Sequence, residues 1–278
     1  MQFAPRRRTD QSSGAQRSID VPRSGIKSAR MASMKKDKYW ELSRSTRYSL
    51  LFALPLLVLY EEFVVLLSHG PAGGIRNGAD VVLQQAVYAI AGRYEPIVFG
   101  VLLLGIGGFL VARDMRLHRG PLRWSTFLLM LVESLLLAGI FGAVVGTITA
   151  NLLHLSGYLV VPGGAIEHSA LATRVMLSLG AGIYEELLFR VIIAGALDAA
   201  ARRLLGWGPW FAGGFAVVVS ATVFSASHYI GPYGDPWAVQ SFVYRLISGM
   251  VFSALYLTRG FGITAWTHTL YDLLVLAL

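Results

Sequence analysis

The chain has 278 residues, of which 55% are hydrophobic and only 14% charged, and its mean hydropathy is +0.57. Soluble globular domains carry about 25% charged residues, so this composition excludes a soluble globular fold and indicates a multi-pass membrane protein. The sequence contains no cysteine, which excludes disulfides, a thiolate nucleophile and cysteine-ligated metals.

The first 47 residues form a basic segment with 12 Lys and Arg against 4 Asp and Glu, which accounts for the whole net charge of +8. Residues 1–47 are rich in Ser, Arg and Lys and lack apolar periodicity, so we predict a disordered tail. Such a tail favours contact with anionic lipid over binding to nucleic acid. The first apolar run begins near residue 48 and is too long for a signal peptide, so it predicts an uncleaved first span.

Residues 48–278 are predicted to form one membrane-embedded domain. Because a spanning segment must satisfy its own backbone hydrogen bonds, each apolar run of about 20 residues predicts a helix, and the fold class is an all-α transmembrane bundle. The mixed, amphipathic segment 79–95 leaves seven or eight spans open. The predicted spans are 48–68, 96–112, 124–153, 170–200, 209–229, 238–258 and 261–278.

Arginine-rich linkers indicate the orientation of the bundle. Residues 113–123 carry four Arg, and the segment that begins at residue 201 carries Arg202 and Arg203. If the spans alternate, both linkers lie on the side of the basic tail, and the positive-inside rule places that side in the cytoplasm. We expect a multi-pass protein of a bacterial cytoplasmic membrane with a cytoplasmic N-terminus.

The stretch YEELLFR, residues 184–190, places Glu185, Glu186 and Arg190 inside an apolar run. A charged side chain at the bilayer centre costs at least about 2.5 kcal/mol, so such residues face the bundle interior and often mark function. Glu186 and Arg190 are one helical turn apart and can pair, whereas Glu185 is rotated by about 100° and is free to react. A purely structural ion pair explains this motif alone equally well.

Two later spans add histidines to this pattern. FSASH, residues 224–228, places His228 at the end of a span, and HTLYD, residues 268–272, places His268 and Asp272 one turn apart. A lone intramembrane histidine more often makes an interhelical hydrogen bond than performs catalysis. Three spans that each deliver such groups favour one shared site.

These residue types together predict a hydrolase. A carboxylate among apolar side chains can take a proton from water, and histidines can hold that water or donate to the oxyanion that forms at a carbonyl. The candidate catalytic residues are Glu185, His228, His268 and Asp272. Glu185, His228 and His268 are also a possible ligand set for Zn²⁺, with Glu186 or Asp272 as base or outer partner, so zinc-dependent and metal-free hydrolysis both stay open.

The order EExxxR, FxxxH and HxxxD on successive helices resembles the motifs of the CAAX protease and bacteriocin-processing (CPBP) family of intramembrane proteases, the family of the type II CAAX prenyl endopeptidases. The resemblance covers about residues 170–278. It implies that Glu185 and His228 activate water, and that His268 with Asp272 stabilises the oxyanion. The residues with a supporting role are then Glu186, Arg190, Phe224 and Arg245.

One position departs from the pattern of that family. Many members carry Asn where this chain has Asp272, and an ionised carboxylate cannot donate a hydrogen bond to an oxyanion. We therefore expect Asp272 to orient His268. Glu61, Glu62 and Glu133 also lie in apolar runs; they are candidates for lining a cleft, for pairing with the arginines of the motifs, or for simple packing.

The resulting hypothesis is an intramembrane endopeptidase that acts on a membrane-associated protein or peptide. The alternative is a non-hydrolytic membrane scaffold or a transporter that uses the same polar cluster for binding. A transporter typically has an inverted repeat, and the sequence contains none that we detect.

Overall fold

The computed structural model describes residues 39–70, 73–118, 120–154, 170–231 and 234–277. These residues form helices and no β-strand, which confirms the predicted all-α membrane bundle. The helices are α1 (Thr46–Leu67), α2 (Gly78–Ala91), α3 (Glu95–Leu117), α4 (Trp124–Leu152), α5 (Leu171–Gly180), a π-helical segment (Ala181–Ala194), α6 (Gly195–Leu204), α7 (Pro209–Ser227), α8 (Val239–Arg259) and α9 (Phe261–Ala277). The chain runs from α5 through the π-helical segment into α6 without a break.

Five stretches within the described residues are long and apolar enough to cross a membrane, at 46–67, 78–117, 124–152, 209–227 and 239–259. The two other predicted spans are also helices. One is the continuous helix α5–π–α6, which carries the charged YEELLFR motif, and the other is α9, which has 17 residues. Both pack against several neighbouring helices, which is consistent with a bundle of seven to eight spans.

Residues 79–95, the amphipathic segment that left seven or eight spans open, are divided between two helices. A short 3₁₀ turn, Gly92–Tyr94, separates α2 from α3. Gly92 has φ +52°, a left-handed value that glycine adopts at little cost. Pro96 lies in the first turn of α3, where a missing N–H leaves no hydrogen bond unmade. The local sequence therefore explains why the chain breaks here.

Helical structure begins earlier than the sequence predicts. Residues 39–44 are helical and α1 follows directly. The helical part of the chain therefore begins inside residues 1–47, which were predicted to be disordered. Arg47 is buried, donates to the carbonyl of His118 at 2.7 Å and lies 3.6 Å from the carboxylate of Asp114. These contacts bind the start of α1 to the linker after α3. Residues 1–38, with the proposed lipid-binding tail, lie outside the described residues.

α9 packs against α1, α4, α8 and the π-helical segment. Its approach to the π-helical segment is close at Gly182, where an added Cβ atom would lie 2.5 Å from the carbonyl oxygen of Ala265 in α9. Glycine is therefore required at this position for the two helices to meet. This close approach brings the YEELLFR motif opposite the histidine of α9.

We expect Gly182→Ala to lower the free energy of unfolding by about 1–3 kcal/mol, because the added methyl group overpacks the helix contact. Gly195→Ala in the same continuous helix is the matched control, since its Cβ would meet nothing within 4 Å. That control should be neutral or stabilise by up to about 1 kcal/mol. Thermal unfolding in detergent compares the two variants, and equal melting temperatures would contradict the close packing at Gly182.

Candidate active site

The two adjacent glutamates lie in the π-helical segment Ala181–Ala194. π-helices are rare, usually one turn long, and frequent at functional sites. Their i→i+5 hydrogen bonds widen the turn, so consecutive residues are rotated by less than the roughly 100° of an α-helix. Glu185 and Glu186 both lie close to His268.

His268 joins the carboxylates of three residues. Its Nδ1 lies 2.7 Å from Oε1 of Glu186, and its Nε2 lies 4.0 Å from Oε2 of Glu185. Asp272, one turn further along α9, has Oδ2 at 3.8 Å from the same Nε2. The imidazole also stacks on the ring of Phe252, with centroids 4.3 Å apart. Glu186 and Phe252 together fix the position and the plane of the ring.

The predicted pairing of Glu186 with Arg190 is present in the structure. Oε1 of Glu186 lies 3.2 Å from Nη1 of Arg190, and both side chains are almost completely buried. The guanidinium also lies 4.5 Å from the ring centroid of Phe224 and 5.4 Å from that of Phe252. A carboxylate and two aromatic faces therefore offset the cost of burying this cation.

Glu185 carries the more accessible carboxylate of the motif, with 12% of its side chain exposed, whereas that of Glu186 is fully buried. Its Oε1 accepts a hydrogen bond of 2.8 Å from Nδ2 of Asn77. Glu185 also interacts electrostatically with His228 and His268. The structure thus brings together the carboxylate and the two histidines that the sequence motifs singled out.

His228 directly follows the last residue of α7. Its Nδ1 lies 2.9 Å from the carbonyl oxygen of Phe224, one turn earlier. When Nδ1 donates to this carbonyl in the neutral ring, Nε2 is the acceptor nitrogen. The ring of Phe224 lies edge-on to both histidines, 4.9 Å from His228 and 6.4 Å from His268 between centroids. Phe224 is therefore a shared neighbour of the two imidazoles.

Arg245 contacts the segment after His228. It forms an ion pair with Asp235, whose backbone N–H donates to the carbonyl of His228 at 2.8 Å. Its guanidinium also lies 5.5 Å from the ring centroid of Tyr229. Through these contacts α8 holds the end of α7 in place.

Two of the three other glutamates in apolar runs pair away from the arginines of the motifs. Glu133 pairs with Arg259 at 2.5 Å, and Glu61 pairs with Arg76 at 2.9 Å. Tyr184, the residue before Glu185, donates to Glu61 at 2.7 Å.

A groove of about 850 Å³ lies between α1, α2 and α3. Glu61, Arg76 and Tyr184 form one polar part of its lining, and Tyr184 directly precedes Glu185. The remaining walls are largely apolar and include Leu54, Leu57, Val58, Phe99, Gly100 and Leu103.

The ligand set considered for Zn²⁺ was Glu185, His228 and His268. Among the residues that the structure describes, no group of three or more His, Asp or Glu side chains is arranged to hold a metal ion. Nδ1 of His268 is also engaged by Glu186. The geometry therefore lends no support to the zinc hypothesis.

The fold and the cluster define a class of protein: a multi-pass helical bundle that holds a glutamate, two histidines and an aspartate in its interior. Such groups are costly to bury in a membrane, and they are the side chains that most often act as general acids and bases.

Residues 167–274 match the family model described as type II CAAX prenyl endopeptidase Rce1-like. This part of the chain is therefore an Rce1-like domain, which confirms the resemblance expected from the three motifs and implies a membrane protease. The match includes every motif residue and leaves α1 to α4 outside it. Comparisons with curated proteins and with solved structures gave no match.

Two neighbours of the site were not predicted from the sequence. Phe252 lies in α8 at a position that belongs to none of the three motifs. Asn77 precedes α2, and its type and place fit a helix N-cap. No local pattern indicates that its side chain reaches Glu185, 108 residues further along the chain.

We expect Glu186→Gln to lower the free energy of unfolding by about 3–5 kcal/mol, because it leaves the buried Arg190 cation without its carboxylate. Asp198→Asn is the matched control, since Asp198 and Arg202 form a pair with the same spacing that is substantially exposed. The exposed pair should contribute at most about 0.5 kcal/mol. Thermal or denaturant unfolding in detergent measures both, and similar losses in the two variants would contradict the assigned environment of Arg190.

Proposed function

We propose that this protein is an intramembrane endopeptidase that hydrolyses a peptide bond of a membrane-associated protein or peptide with water activated by Glu185 and His228. The observation that carries the proposal is the position of Nε2 of His268, 4.0 Å from Glu185 and 3.8 Å from Asp272, with the ring of Phe224 close to both His268 and His228. The Rce1-like match over the same residues supports the reaction class.

In the proposed reaction, Glu185 acts as the general base. Its carboxylate takes a proton from a water molecule, and the resulting hydroxide attacks the carbonyl carbon of the scissile bond. His228 accepts a hydrogen bond from this water through Nε2, because Nδ1 donates to the carbonyl of Phe224. When the tetrahedral intermediate collapses, the C–N bond breaks and the leaving nitrogen takes the proton from Glu185.

His268 supplies the hydrogen bond to the oxyanion in this proposal. With a proton on each ring nitrogen, it donates from Nδ1 to Glu186 and from Nε2 to the oxyanion. Asp272 lies 3.8 Å from Nε2 and orients the ring, since an ionised carboxylate has no proton to donate. This arrangement assigns a role to each of the four candidate catalytic residues without a metal ion.

The groove and the family description both support a substrate with a long apolar group. A prenylated or otherwise apolar peptide presents a long apolar group that must stay out of water. The groove between α1 and α3 has largely apolar walls, and Tyr184, the residue before Glu185, is part of its lining. We propose that the groove receives the apolar group while the peptide bond lies at Glu185.

Glu185→Gln should lower the rate of peptide cleavage at least about 1,000-fold, because the amide cannot take a proton from water. The assay uses the purified chain in nanodiscs and a library of internally quenched peptides, each with and without a C-terminal farnesyl cysteine. Glu41→Gln, at an exposed position of the first described helix, is the control and should keep the wild-type rate.

Two outcomes would support the alternative of a binding scaffold. One is a Glu185→Gln variant that is normally abundant and cleaves at the rate of the wild-type protein. The other is that the wild-type protein cleaves no peptide of the library. A chelator should leave the wild-type rate unchanged. If chelation abolishes cleavage and Zn²⁺ restores it, the metal-free version of the mechanism is wrong.

Gly100→Phe should raise KM for the farnesylated peptide about tenfold or more, because its side chain fills the groove and excludes apolar area from burial. The position has open space around its Cβ, so the change is expected to leave the fold intact. Gly105→Phe is the matched control: it lies in the same helix, also in open space, and outside the groove lining. Equal KM values for the two variants would contradict substrate binding in the groove.

A further inference from the structure

We propose that Asn77 is a positioning residue for Glu185, so that the loop before α2 completes an active site whose other groups all lie in the Rce1-like domain. The inference rests on the proposed function, in which Glu185 is the general base. Asn77 lies outside residues 167–274, the part of the chain that matches the family. The catalytic domain would then depend on the N-terminal helices for the orientation of its base.

The contact itself is short and buried. Nδ2 of Asn77 donates to Oε1 of Glu185 at 2.8 Å, and Asn77 is only 5% exposed. In the described part of the chain, this is the hydrogen bond that the structure gives to the Glu185 carboxylate. A neutral amide donor fixes one oxygen without adding a charge and leaves Oε2 facing Nε2 of His268.

The orientation of the Asn77 amide is determined by its second bond. Its Oδ1 accepts from the backbone N–H of Ala79 at 2.9 Å, in the manner of a helix N-cap. Because the oxygen faces the helix, the NH₂ group faces Glu185. The backbone N–H of Asn77 also donates to the hydroxyl of Tyr60 at 3.0 Å, which holds the residue at both main chain and side chain.

Further contacts hold the loop against the YEELLFR motif. Tyr60 donates to the fully buried Asp80 at 2.8 Å, and Arg76 donates to the same carboxylate at 2.5 Å. Arg76 also pairs with Glu61, which accepts from Tyr184 next to Glu185. The loop is thus connected to the motif through a second path of polar groups.

A glycine makes room for Asn77 beside the motif. An added Cβ atom on Gly180, in the last turn before the π-helical segment, would lie 2.7 Å from Cβ of Asn77 and 2.6 Å from Cε2 of Tyr60. Any larger residue would push the loop away. The close packing therefore serves the contact between Asn77 and Glu185.

Asn77→Ser and Asn77→Asp test the inference without removing the helix cap, because Ser and Asp are N-cap residues about as good as Asn. Both variants lose the amide donor, and Asp also places a negative charge beside Glu185. We expect kcat to fall about 10- to 100-fold in the Ser variant, as for the loss of one hydrogen bond to a charged group, and further in the Asp variant. KM and the melting temperature should stay close to the wild-type values.

Asn151→Asp is the control for the substitution itself, since Asn151 is exposed at the end of α4, and it should keep the wild-type kcat. The probe is the quenched peptide of the library that the wild-type chain cleaves fastest. Wild-type kcat in both Asn77 variants would overturn the inference, as would a loss that appears in KM and melting temperature while kcat is kept.

Glu185→Gln, assayed in parallel, separates the two proposals. If Glu185→Gln is inactive and the Asn77 variants are fully active, the positioning role is wrong and the proposed function stands. If Glu185→Gln cleaves at the wild-type rate, the proposed function itself is wrong.

Discussion

The hydrogen bond between Glu186 and His268 is the contact on which the other features of the site depend. It joins the π-helical segment to α9, two helices that approach closely at Gly182. Neither group is stable alone in an apolar interior, because a buried charge without a partner costs several kcal/mol. Glu186 therefore serves two partners, Arg190 on its own helix and His268 across the contact.

Several features of the cluster follow from that contact. With Glu186 engaged twice, Glu185 is the carboxylate of the pair that remains partly accessible. The rings of Phe224 and Phe252 each contact Arg190 and one of the two histidines. The buried Glu186, held by Arg190 and His268, thus supports the position of Glu185 beside His268.

The helices outside the family match form part of the same structure. α1 packs on α9, α2 contacts the π-helical segment, and Tyr184 of the YEELLFR motif lines the groove between α1 and α3. Asn77 of the loop before α2 binds Oε1 of Glu185, and His268 of α9 lies 4.0 Å from Oε2. In this account, the N-terminal helices provide access and orientation, and the C-terminal helices provide the chemistry.

The sequence predicted much of this arrangement because membrane insertion makes charged residues conspicuous. The spans follow from hydropathy, and the pairing of Glu186 with Arg190 follows from spacing that an α-helix and the π-helix both satisfy. The π-helical form of this segment was not predicted, because nothing in the stretch AGIYEELLFRVIIA distinguishes i→i+4 from i→i+5 bonding.

Residues whose role depends on long-range contacts could not be predicted from the sequence. Asn77 looked like an ordinary residue before a helix, and Phe252 like an ordinary apolar residue in a span. Both acquire their place only when distant helices pack together. The partners of Glu61 and Glu133 were unpredictable for the same reason, since several arginines were available to each.

Imidazole ¹⁵N NMR of histidine-labelled protein in nanodiscs tests the central claim most directly. His268→Gln identifies the resonances of His268 among the six histidines. We expect Glu186→Gln to shift the Nδ1 resonance of His268, because the charged acceptor of its hydrogen bond is lost, and Glu133→Gln, which alters the separate pair with Arg259, to leave it unchanged. A His268 spectrum that is the same in wild type and Glu186→Gln would contradict the account.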